Sequence, residues 1–86
     1  MTPLRIDWTS RALREAKRLD PPTRQRIATA LDAFVETERG DVVLLTDVTP
    51  PEYRLRVGPW RVRFRVDRQT GSLIVLRVLP RSKAYR

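Results

Sequence analysis

The sequence predicts an α+β domain: an N-terminal strand and an antiparallel helical hairpin, then a C-terminal antiparallel β-meander with the helices packed on one face. Three observations carry this reading. Apolar residues recur at helical spacing through residues 11–38, and from residue 53 they alternate with polar ones. The turn signals Gly58-Pro59 and Arg68-Gln69-Thr70-Gly71 then cut the alternating region into strand-length pieces. With 86 residues and 41% hydrophobic content the chain has material for one core, so residues 1–86 read as a single domain.

Leu4-Arg5-Ile6-Asp7-Trp8 alternates and reads as a short strand, after which Thr9-Ser10 offers N-cap hydroxyls. A first helix runs to about Leu19, with Ala12, Leu13, Ala16 and Leu19 as its apolar stripe and Arg11, Arg14, Glu15 and Arg18 elsewhere on the cylinder. Asp20-Pro21-Pro22 ends it and opens a second, since Asp caps and proline is tolerated in a first turn. Ile27, Leu31, Phe34 and Val35 form that helix's buried stripe to about Glu38, with Gly40 as the stop. Val42-Val43-Leu44-Leu45 and the proline-containing stretch to Pro51 read as a connector. Strands then span Tyr53 to Val57, Trp60 to Asp67 and Ser72 to Leu79.

There is no cysteine and no histidine, which removes disulfides, thiol nucleophiles, ordinary zinc sites and imidazole chemistry. No metal and no cofactor are expected. The longest purely apolar runs are four residues, against the roughly 20 that span a bilayer, and the first residues lack a secretory pattern. A cytoplasmic protein with no membrane partner is expected.

Charge is distributed unevenly. Residues 1–50 hold eight Lys or Arg against eight Asp or Glu, whereas residues 51–86 hold ten against two, and 16 of the 18 basic residues are Arg. Strand parity orders them: Tyr53, Leu55, Val57, Trp60, Val62, Phe64 and Val66 share one face, and Arg54, Arg56, Arg61, Arg63 and Arg65 the other. In the last strand Ile74, Leu76 and Val78 share one parity and Leu73, Val75, Arg77 and Leu79 the other; placing Arg77 on the arginine face leaves the all-apolar parity for the core. A sheet face in water explains alternation but not a single sign, because like charges opposite one another destabilise a sheet. An anionic partner does explain it, whether nucleic acid or an acidic protein. The aromatic residues of the meander fall on the apolar face and read as core.

Tyr53-Arg54-Leu55-Arg56-Val57-Gly58-Pro59-Trp60-Arg61-Val62-Arg63-Phe64-Arg65-Val66 and the ending Leu76-Arg77-Val78-Leu79-Pro80-Arg81-Ser82-Lys83-Ala84-Tyr85-Arg86 resemble segments of the RelE/ParE toxins of bacterial type II toxin–antitoxin systems. The resemblance implies a toxin restrained by a cognate antitoxin, with operator DNA reached only through the antitoxin complex. For the RelE type it implies metal-independent cleavage of mRNA on the ribosome, by attack of a 2′-hydroxyl on the adjacent phosphate. Arg61 and Arg81 then match groups that meet transition-state charge, and Tyr85 matches one that transfers a proton or stacks a base. Arg54 and Arg56 match basic positions that place the phosphate, and Arg63, Arg65 and Arg77 of the arginine face, with Lys83 of the basic ending, are expected to bind RNA phosphates beside them. The chain departs from the pattern where residues 54 and 56 are Arg instead of Lys, since arginine does not give up its proton in proteins. Pro80 stands where relatives often carry His. The proton then falls to Tyr85 or Lys83. The same resemblance carries an alternative, a ParE-like poison of DNA gyrase that cleaves nothing itself.

Overall fold

The computed structural model describes residues 3–83. The chain runs β1 (Arg5–Trp8), α1 (Ser10–Lys17), α2 (Pro21–Thr37), β2 (Val42–Leu45), β3 (Glu52–Val57), β4 (Trp60–Asp67), β5 (Ser72–Pro80) and a 3-10 turn at Arg81–Lys83. Its five-stranded sheet has the order β1-β5-β4-β3-β2. β1 lies parallel to β5, and every other pairing is antiparallel.

Local chemistry sets the helix boundaries. Thr9 caps α1, its hydroxyl oxygen accepting from the Ala12 amide at 3.1 Å and donating to the Leu76 carbonyl at 3.3 Å. α1 stops at Lys17, two residues before the sequence predicts, because the Arg18 and Leu19 amides turn back to carbonyls three residues earlier and tighten the last turn. Asp20 caps α2 through the Thr23 amide and hydroxyl, with Pro21 and Pro22 in the first turn. α2 ends on Glu38 in the left-handed region (φ 57°), whose amide reaches the Phe34 carbonyl, and not on Gly40. Gly40 serves a different purpose. A Cβ there would sit 3.3 Å from the Leu55 methyl, so glycine lets the chain enter β2 close over the core.

The core lies between α2, α1 and one face of the sheet: Ala12, Ile27, Leu31, Leu55, Val62, Phe64, Leu73, Val75 and Val78 are buried. Phe64 anchors it, its ring centroid 5.4 Å from those of both Phe34 and Tyr53. Leu13 leaves the predicted stripe and is 43% exposed, because Ala12, Ala16 and Leu19 (i, i+4, i+7) form the inward line and Leu13 is turned about 100° from Ala12.

Two other expectations are corrected. Residues 42–45 form an edge strand hydrogen-bonded to β3, so the meander has four strands; the two-sided exposure of so short an apolar run, with Val43 and Leu44 facing outward, hides the period of two. In β5 the parity breaks. The β4–β5 register passes from Arg63↔Arg77 to Phe64↔Val75, which leaves Leu76 as an extra, unpaired residue. The core therefore takes Leu73 and Val75 before this bulge and Val78 after it, instead of Ile74, Leu76 and Val78.

Candidate functional site

Register places the predicted arginines together. Arg54 lies opposite Arg63, Arg56 opposite Arg61, and Arg63 opposite Arg77, all on the sheet face turned away from the core. Arg65 shares that parity and lies opposite Ile74. The bulge is what brings Arg77 to this face, since an unbroken strand would align it with Val75.

The face is far from bare. Glu52, at the start of β3, binds Arg63 at 2.8 Å and approaches Arg65 at 3.7 Å, and only 15% of the Arg63 side chain and 13% of the Glu52 side chain remain exposed. The Nε atoms of Arg63 and Arg65 are buried and have no hydrogen-bond partner among the described residues. Exposed Asp41 lies 3.8 Å from Arg56, and its carbonyl accepts from the Arg56 amide. Arg54 is half-buried and engaged with a neighbour. Arg61, which the sequence suggests is open to a phosphate, is 5% exposed; its Nη1 donates to the carbonyls of Gly58 and Trp60 at 2.9 and 3.0 Å and braces the β3–β4 turn. Gly58 makes that two-residue turn possible by adopting φ 56° at its first central position.

The Arg81 amide donates to the Pro59 carbonyl at 2.9 Å and docks the 3-10 turn against the β3–β4 turn. Arg56, Arg61 and Arg81 thus gather at one end of the sheet, with Arg56, Arg81 and Lys83 exposed. Tyr85 lies outside the described residues.

A second cationic region lies beside β5, on α1. β1 pairs only with Ser72 to Val75, so the rest of β5 has an open edge that α1 covers. There the Glu15 carboxylate accepts from the Val78 amide at 2.9 Å, from Arg77 Nε at 3.0 and 3.2 Å, and lies 2.9 Å from Arg77 Nη2. Burial pushes the Glu15 carboxyl upward, but the Arg77 and Val78 hydrogen bonds and the charges of Arg77 and Arg11 outweigh it and hold the group below the usual carboxylate range. Around this clasp a cleft of about 460 Å³ is lined by Arg11, Arg14, Arg18, Arg77, Lys83 and Trp60, among others. The sequence places the three α1 arginines only off the apolar stripe; their i, i+3, i+7 spacing is the signal that they form one ridge.

No helix among the described residues is long and apolar enough to cross a membrane. The fold is similar to that of RelE in the archaeal RelE–RelB complex from Pyrococcus horikoshii (22% identity, TM-score 0.78, 96% of this chain and 100% of that one). It is also similar to the Methanococcus jannaschii RelB–RelE complex (20%, 0.73, 92% and 94%) and to the isolated E. coli RelE toxin (22%, 0.75, 95% and 90%). No curated protein matches the sequence. The family model described as the ParE toxin of type II toxin–antitoxin systems, parDE, matches residues 6–85, nearly the whole chain. The chain belongs to the RelE/ParE family of toxins of type II toxin–antitoxin systems.

Proposed function

We propose that the protein is a cytoplasmic, metal-independent mRNA endonuclease that acts on the ribosome, inhibits translation and is held inactive by a cognate antitoxin. The observation that carries this reading is the gathering of Arg56, Arg61 and Arg81 around the β3–β4 turn, where Arg56 and Arg81 are exposed and Arg61 fixes the turn. In the proposed reaction the 2′-oxygen bonds to the adjacent phosphorus and the bond to the 5′-oxygen breaks, leaving a 2′,3′-cyclic phosphate and a 5′-hydroxyl. Arg81 meets the charge on the phosphorane, Arg56 positions the phosphate, and Arg61 acts by holding the turn on which Arg81 is docked. The proton passes through Tyr85 or Lys83. The RelE chains in the Pyrococcus and Methanococcus structures are complexed with RelB antitoxins, which supports an antitoxin partner here, with operator DNA bound through that complex.

Primer extension on a defined mRNA, with and without programmed ribosomes, tests the reading. Cuts in the A site only with ribosomes are expected, and no cut in either sample overturns it. The ParE family model and the internal carboxylate partners of Arg63, Arg65 and Arg77 favour a second reading, a gyrase poison without nuclease activity. Cells making such a protein would show a DNA-damage response and filamentation instead of translation arrest.

A further inference from the structure

We propose that the cleft between α1 and the end of β5 is a binding site for single-stranded RNA, with phosphates on Arg11, Arg14 and Arg18 and a base against Trp60. On the arginine face of the sheet, Arg56, Arg63, Arg65 and Arg77 have carboxylate partners and Arg61 is spent on carbonyls. The cleft is different. Among the described residues, no carboxylate lies within ion-pair distance of Arg11, Arg14, Arg18 or Lys83, and the one carboxylate in the lining, Glu15, is bonded to Arg77 and the Val78 amide and feels Arg11 only at longer range. Five cations therefore surround one occupied anion in a concave space of about 460 Å³, an arrangement that focuses positive potential and favours a polyanion.

The three α1 guanidiniums follow one helical line about 10 Å long, suited to successive phosphates. Trp60, half-buried and packed against the core, also lines the cleft and gives it an aromatic surface on which a base can stack. The cleft reaches Lys83, two residues after the docked Arg81 in the same 3-10 turn, so a strand bound along α1 leads toward the proposed cutting end. RNA as the strand rests on the nuclease reading above.

The test uses the full chain and a fluorescent 2′-O-methyl RNA oligonucleotide, which has no free 2′-hydroxyl and cannot be cut, so binding is read separately from cleavage. Arg11→Gln/Arg14→Gln/Arg18→Gln replaces exposed side chains only and is first checked for an unchanged circular dichroism spectrum and melting temperature. Its affinity is expected to fall about tenfold or more at 0.1 M salt, and its log-log salt slope to shrink by about 2, as three lost phosphate contacts require. In a Trp8→Phe background, the fluorescence of Trp60 is expected to be quenched on binding. Unchanged affinity and slope in the triple variant, or an unquenched Trp60, overturn the proposal. So does an oligoglutamate peptide that binds the parent more tightly than the RNA and loses that binding in the triple variant, which would assign the cleft to a protein partner. Single variants at Arg14 and Arg18 keep the comparison available if the triple variant loses structure.

Discussion

Glu15 and Arg77, 62 residues apart in sequence, form a two-nitrogen ion pair in which the same carboxylate also caps the Val78 amide on the open edge of β5. One side chain thereby closes an unpaired strand edge, holds α1 to the sheet and withdraws an arginine from the cationic face. Glu15→Ala is expected to cost about 2 kcal/mol, the loss of charge-assisted hydrogen bonds at a partly buried site, measured by urea unfolding. Because the folded carboxyl is held below its unfolded value of 4.5, its stabilisation is fully present above that pH. It is lost as pH falls through the folded value. Melting temperature should therefore drop with acidification below about pH 4.5, and by less in Glu15→Gln, which has no carboxylate to protonate.

Glu52 lies between Arg63 and Arg65, so Glu52→Gln leaves two neighbouring guanidiniums without their counter-charge. A stability loss of about 3 kcal/mol is expected from breaking so enclosed a pair. The same variant should bind RNA with a steeper salt dependence than the parent, since the uncovered cations become available to phosphate. Equal salt slopes would show that Glu52 does not screen that face.

Arg61 and Arg81 are separable by stability. Arg61→Ala removes a buried group bonded to two turn carbonyls and is expected to cost about 2–3 kcal/mol in unfolding free energy. Arg81→Ala removes an exposed side chain and should leave the melting temperature unchanged while abolishing toxicity in cells. A fully toxic Arg81→Ala would remove Arg81 from the site.

Thr9 joins the α1 cap to the β5 bulge through one hydroxyl. Thr9→Ala is expected to cost about 1–2 kcal/mol and Thr9→Ser to recover most of it, because the cap needs the oxygen and not the methyl. Thermal melts of the two variants check this.

Helix starts at Thr9 and Asp20, the alternation that buries Leu55, Val62 and Phe64, and the turn at Gly58-Pro59 were legible because each depends on neighbours in sequence. β2 is not legible as a strand, because an edge strand exposed on both sides lacks the burial contrast that makes a period visible. The candidate site was legible as a set of positively charged residues and illegible as a charge distribution. Nothing in the alternation of Arg61, Arg63 and Arg65 says that the first is buried on carbonyls and that the others share Glu52.

By itself, then, the sequence determined the element order, the two faces of β3 and β4, the excess of arginine and the family. The first three follow from side-chain period, capping chemistry and composition, which act over a few residues, and the family follows from the likeness of its segments to those toxins along nearly the whole chain. Only the tertiary structure decided that Leu76 bulges and returns Arg77 to the arginine face. It alone paired β1 with β5, placed Glu15 on that strand's open edge, and lined the cleft beside it with Arg11, Arg14 and Arg18. The physical reason is common to all of these: register and ion pairing are fixed by contacts between segments that meet only on folding, with energies that no local pattern records.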